Sequence, residues 1–300
     1  MKKNERNPLV LLFLSALLNS SSAADLDQYA RSRQNDLRIS VYATAGDVQN
    51  YLASPEGLRE AISLLRAHGV TRLFLEFYRG GVIPDSAVLA EARDHFLAHD
   101  IDVAGGIATV PGRGFGVRQQ GRLTWFNWEA SETRDSLSVV MRYGAALFDT
   151  LIVDDFLCTA DTSRLSVRAK GERSWSEYRR DLLSRFARDH LIAPARQVDP
   201  EIEIIIKYPQ WYDRFHLFGY DVARQSGQFD AVWVGTETRG AHTPRYGFVQ
   251  PYEAYVNYSW IRSVSDKVAG AWFDHGDCDG LDFIDQAYPV SYTHLTLPTN

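Results

Sequence analysis

Thr150-Leu-Ile-Val-Asp154, Glu203-Ile-Ile-Ile-Lys207 and Ala231-Val-Trp-Val-Gly235 are short, apolar, β-branched runs that each end on a polar residue or glycine. Such runs read as strands buried on both faces, the kind found in parallel sheets covered by helices. Outward from them the same pattern repeats. Leu37–Ala43, Thr71–Phe77, Ile101–Ala108 and Val268–Phe273 read as further strands. Between them lie helical stretches. Ser54-Pro55 opens one as N-cap and first-turn proline, Leu58, Ala61, Ile62 and Leu65 form its apolar stripe, and Gly69 stops it. Another runs from about Asp85 to His99 with Val88, Ala92 and Phe96 inward, and a third carries Leu137, Val140, Met141 and Phe148. Ser174-Trp-Ser-Glu177 is a capping box, and Tyr252 to Val264 supply the helix before the seventh strand.

Strand–helix alternation at this repeat length means βαβ units. Seven units predict an α/β fold of the (β/α)8 barrel type, truncated before its eighth strand. The rival is a doubly wound sheet, but no G-x-G-x-x-G follows the first strand. The 300-residue length fits one barrel. The ends are expected to lie outside the fold. Lys2, Lys3 and Arg6, the apolar run Leu9–Leu18 and Ser22-Ala23-Ala24 read as a signal peptide over residues 1–24. Residues 290–300 resemble a translated sequencing adapter, which leaves 25–289 as a single, incomplete barrel domain. The expected location is therefore periplasmic or extracellular, without a stable membrane span after cleavage.

Hydrophobic residues make up 45% and charged residues 23%, which excludes a disordered chain and a polytopic membrane protein. The net charge of −6 argues against general nucleic-acid binding, which needs a basic stripe. Two cysteines are too few for a disulfide scaffold, and Cys158 and Cys278 are left open between free thiols and a bridge.

In a barrel the reactive groups sit at the C-terminal strand ends. Those ends carry Glu76, then Asp154-Asp155, then Lys207-Tyr208 with Trp211 and Tyr212 beyond. The sixth ends in Glu237 and Arg239, and the seventh in Trp272, Asp274 and His275. Acids interleaved with aromatics suit a sugar, because carboxylates do acid–base work and flat rings lie under pyranose faces. Two carboxyl groups flanking a glycosidic bond are the usual requirement for its hydrolysis. Asp154, or its neighbour Asp155, and Glu237 are the expected catalytic pair. Alternation along a strand lets only one of the adjacent aspartates face the axis, and Asp154 is preferred. Glu76, Lys207, Tyr208, Trp211, Arg239, Trp272, Asp274 and His275 are the substrate-binding candidates.

Each has a blander reading: Asp155 ordering a loop, Lys207 neutralising Asp154, Arg79 pairing with Glu76, Arg239 pairing with Glu237, and Trp211 packing its loop. His275-x-Asp277-x-Asp279-Gly280 approaches a calcium loop, but starts on His and has Gln286 at the twelfth position. No metal and no organic cofactor are expected; the partner is a carbohydrate, and nothing in the chain speaks to oligomeric state.

Ile152-Val-Asp-Asp-Phe156, Lys170–Tyr178 and Lys207–Phe215 resemble stretches of an uncharacterised glycoside-hydrolase-like barrel family of exported bacterial proteins. The resemblance runs from the second strand to Ala287 and implies the barrel, export and a carbohydrate context. A more distant similarity is to the α-galactosidase type of barrel, whose nucleophile ends strand four and whose acid/base ends strand six. Asp154 and Glu237 occupy those places, although that family's acid/base is usually Asp. The readings this leaves are an exported glycosidase, a non-catalytic carbohydrate-binding barrel and a metal-dependent hydrolase.

Overall fold

The computed structural model describes residues 20–121, 123–154, 157–236 and 253–273. Its strands are β1 (Ser40–Ala43), β2 (Arg72–Tyr78), β3 (Asp102–Ala108), β4 (Thr150–Asp154), β5 (Glu203–Tyr208), β6 (Ala231–Gly235) and β7 (Val268–Trp272). They form one sheet in the order β1-β2-β3-β4-β5-β6-β7. The pairings β1–β2, β3–β4, β4–β5, β5–β6 and β6–β7 are parallel. This order decides between the two α/β folds. A doubly wound sheet reverses direction at a switch point, whereas a barrel adds each strand beside the last. No reversal occurs, so these are seven strands of a (β/α)8 barrel.

By internal contacts the chain divides into two units, residues 1–75 with 84–104, and residues 76–83 with 105–300. In the first, α1 (Ser20–Arg33) precedes β1, and α2 (Ala45–Asn50) follows it. Sequence reasoning passed over α2, yet Thr44 and Asp47 form a reciprocal capping box there. The helix α3 (Pro55–Ala67) starts at Ser54, whose side chain accepts from the Gly57 N–H. Leu58, Ile62 and Leu65 are its buried stripe, as the spacing predicts. It ends in a Schellman arrangement: Gly69 N–H donates to Arg66 and Val70 N–H to Leu65, with Gly69 at φ +64°. The helix α4 (Ser86–Leu97) is capped by Asp85. At the strand starts the Asp102 carboxylate takes Arg38 at 2.6 Å and Arg72 at 2.7 Å.

The first strand is shorter than expected. Leu37 and Ile39 are exposed and lie outside it: the register with β2 covers residues 40–43, and the Ile39 carbonyl accepts from Thr71 and Arg72 at its edge.

The second unit holds α5 (Ser131–Ala145), α6 (Arg164–Lys170), α7 (Trp175–Phe186), α8 (Ala193–Arg196), α9 (Phe215–Phe218), α10 (Val222–Gln225) and α11 (Glu253–Val264). Leu137, Val140 and Met141 of α5 are buried as expected. Phe148 lies past the helix end and packs 6.3 Å from the Phe77 ring instead of continuing the stripe. The Ser174–Glu177 capping box is present on α7. A π-helical turn, Ala187–Ile192, follows it with no warning in the local pattern. The core of this unit is Ile152 and Val153 of β4 against Ile204, Ile205 and Ile206 of β5.

Candidate active site at the strand ends

Glu76, Asp154, Lys207 and Trp272 lie at or near the ends of β2, β4, β5 and β7. Immediately after β2 the chain turns on Gly80 and Gly81, at φ +58° and +91°, and Arg79 pairs with Val82 across that turn. A side chain at either glycine would resist this backbone. The turn sends Arg79 back over the sheet end, where its Nε lies 2.9 Å from both carboxylate oxygens of the fully buried Glu76. Its Nη2 reaches Oδ2 of Asp154 at 3.5 Å. On the other side, Lys207 Nζ stands 3.0 Å from Asp154 Oδ1 and 4.1 Å from the Trp272 ring centroid.

The arrangement is a line of alternating charge, Glu76–Arg79–Asp154–Lys207, closed by an indole face. Buried charges persist only when paired, and each member here is paired. The cation over the ring adds a further contact.

Two threonines that sequence reasoning missed fix the strand ends. Thr109, just past β3, donates its N–H (3.0 Å) and Oγ1 (3.1 Å) to the Asp154 carbonyl. Thr236, just past β6, donates N–H (2.9 Å) and Oγ1 (2.8 Å) to the Trp272 carbonyl. The signal was a threonine directly after each strand, a pattern legible only once the strand ends are known. Asn257 of α11 is also buried and donates to the carbonyls of Gly235 (2.7 Å) and Pro209 (3.3 Å).

Behind Asp154 the loops following β3 and β4 are bolted together through Asp161. Its buried carboxylate accepts from Gln120 N–H at 2.7 Å, and from the Ser163 and Ser166 hydroxyls at 2.6 Å each. Trp128 Nε1 donates to the Cys158 carbonyl at 2.8 Å. The Cys158 thiol itself is free and buried, and burial pushes it well above its ordinary value, which leaves it a poor nucleophile.

Not every candidate joins this line. Tyr208 follows Lys207 and so points to the opposite side of the strand. It is buried, 6.0 Å from the Tyr220 ring, and burial raises its phenol strongly. Tyr208 is therefore wall, not lining. Trp211 packs 6.0 Å from Trp125 and 5.6 Å from Phe218, the arrangement of a loop-packing residue. Asp155, Glu237, Arg239, Asp274, His275 and Cys278 lie outside the described residues. Among the described residues no three His, Cys, Asp or Glu side chains are placed to hold a metal, and no helix is long and apolar enough to cross a membrane.

The model of the family described as "Probable glycosyl hydrolase, catalytic domain" matches residues 23–294. An uncharacterized protein of Saccharolobus solfataricus is 27% identical over 262 residues, which are 80% of this chain and 43% of that relative. The chain thus spans under half the length of the relative. Among solved structures, an exo-β-1,4-mannosidase from Opitutaceae bacterium strain TAV5 superposes with a TM-score of 0.52. That match has 10% identity and covers 86% of this chain and 50% of the other. A psychrophilic family 10 endo-β-1,4-xylanase gives a TM-score of 0.49 at 11% identity, over 89% and 82% of the two chains.

Proposed function

This chain belongs to the family of probable glycosyl hydrolase catalytic domains, and we propose that it cleaves a glycosidic bond in an oligo- or polysaccharide with Asp154 and Glu237 as its carboxyl pair. The observation that carries the reading is Asp154, held at the end of β4 between Lys207 and Arg79. A carboxylate paired with two cations can act as nucleophile, as base or by stabilising positive charge at the anomeric carbon. The proton for the leaving oxygen then has to come from a second carboxyl group, and Glu237 is the strand-end acid for that role. Trp272 offers its ring beside the ammonium of Lys207, where an indole can also carry a sugar face. Asp155 orders a loop in this scheme, while Glu76 anchors Arg79. Arg239, Asp274 and His275 complete the substrate contacts. The chemistry requires neither organic cofactor nor metal.

The proposal includes export of a barrel domain over residues 25–289, released from the signal peptide over residues 1–24. N-terminal sequencing of the protein recovered outside the cytoplasm should begin at Asp25.

The pairing of Asp154 with Lys207 and Arg79 also favours a second reading, a carbohydrate-binding barrel in which the acid is structural. Reducing-end release from a polysaccharide panel separates the two. Asp154→Asn takes the counter-charge from the buried Lys207, so its fold is first checked by circular dichroism, and turnover of the folded variant should fall at least about a thousandfold. Glu237→Gln should lower it by about 10²–10⁴. Sugar binding without turnover in the unaltered protein, or full turnover in both variants, would remove the hydrolytic assignment.

A further inference from the structure

Away from the strand ends, the second unit carries a groove of about 780 Å³ beside α7. That volume lies in the range of about 300–1,000 Å³ that ligand clefts occupy. Neither Asp154, Glu76 nor Lys207 lines it. Four guanidinium groups do, on Arg173, Arg185, Arg188 and Arg224, against two carboxylates, Glu129 and Asp181. Asp181 is already shared, 2.9 Å from Arg224 and 3.5 Å from Arg173. Glu129 accepts the Tyr178 hydroxyl at 3.0 Å. Arg185 has no carboxylate partner among the described residues, and Arg188 meets only its chain neighbour Asp189 at the surface. The wall is therefore net positive, with two exposed arginines one helical turn apart.

A second feature narrows the ligand. Ser184 Oγ and Gln228 Oε1 are buried in the same wall without a hydrogen-bond partner. Unpartnered buried polar atoms are costly; the Ser184 hydroxyl can donate or accept, but Gln228 Oε1 only accepts and needs a donor that a bare anion does not have. A single ligand meeting both demands carries a negative group for the guanidiniums and at least one hydroxyl, donated to Gln228.

We propose that this groove is a second carbohydrate site, specific for an acidic sugar whose carboxylate meets Arg185 and Arg188 and whose hydroxyls reach Ser184 and Gln228. Arginine forks suit a carboxylate bidentately. The site would hold charged polysaccharide against the flank of the domain, whether or not the strand ends cleave it.

Isothermal titration of the full chain with D-glucuronate, D-glucose and sodium sulfate tests this. Saturable binding of glucuronate is expected, with none for glucose in the same concentration range and at least tenfold weaker binding of sulfate. The double variant Arg185→Ala/Arg188→Ala should weaken glucuronate tenfold or more, and Asp154→Asn should leave it unchanged. Sulfate binding as tightly as glucuronate would reduce the groove to a bare anion site and overturn the assignment. So would binding that survives the double variant, or that is lost in Asp154→Asn, which would put the sugar at the strand ends. If the double variant does not fold, salt decides with the unaltered protein. Affinity should fall as sodium chloride rises, and salt-independent binding overturns the proposal.

Discussion

Lys207 Nζ lies 3.0 Å from Asp154 Oδ1, and both side chains are about 95% buried, at 4% and 5% exposure. Neighbouring parallel strands place the two groups side by side, since Val153 of β4 is in register with Ile206 of β5. Breaking such a pair from one side strands a buried charge, whereas removing both members does not.

Lys207→Met should therefore destabilise the fold by about 3–5 kcal/mol. The double variant Asp154→Asn/Lys207→Met should recover a large part of that loss. Denaturant midpoints of both single variants, the double variant and the parent check it, and a double loss equal to the sum of the single losses would show that the pair is not coupled.

Arg79 is the only guanidinium that the described residues place on both Glu76 and Asp154. Arg79→Ala takes the shared Nε–H donor and its charge away from the fully buried Glu76, so a loss of about 3 kcal/mol is expected. Arg79→Lys keeps a charge but cannot span two carboxylates, and should fall between. Thermal unfolding of the three proteins ranks them.

Asp161 gathers two N–H groups and two hydroxyls onto a buried carboxylate. Asp161→Ala should cost about 2–4 kcal/mol and loosen the loops following β3 and β4. Limited proteolysis should then cut within residues 109–130 or 157–163, where the parent resists.

Burial holds the His190 imidazole below its ordinary value of 6.5, and Arg134 pushes it the same way. His95 is lowered too, by burial first and then by His99 beside it. Between the folded value and 6.5 the unfolded chain binds more protons than the fold, so stability rises with pH across that window. The contribution is complete above about pH 6.5 and is lost as pH falls through the folded value. His190→Gln should flatten this slope relative to the parent, read from unfolding midpoints at pH 5.5 and 7.5. An unchanged slope would mean that His190 does not titrate differently on folding.

Alternating runs of apolar residues determined much of this protein without help from tertiary structure. The strands at 150–154 and 231–235 lie where the β-branched runs put them, and β5 extends its run by one residue. The caps at Ser54 and Ser174 are likewise local, since each is a side chain bonding its own backbone three residues on. The barrel followed from the repeat, and the family from motifs near β4, α7 and β5. The π-turn and the premature end of α5 were not legible in the local pattern, whereas the short α2 carries a local signal in its Thr44–Asp47 capping box.

The site divides the same way. That acids stand at the ends of β2 and β4 was readable from position alone. The pairs Lys207–Asp154 and Arg79–Glu76 were readable as alternatives, but the reach of Arg79 to Asp154 and the threonine at its carbonyl were not, because contacts between strands join residues far apart in sequence. Thr109 reaches Asp154 across 45 residues, and Lys207 lies beside Asp154 only because β4 and β5 are neighbours in register. Tyr208 and Lys207 are adjacent letters with opposite surroundings, because the pleat turns one toward Asp154 and the other toward Tyr220. Chain order settled which groups stand at the ends of the strands. Only the register of the sheet decided which of them meet.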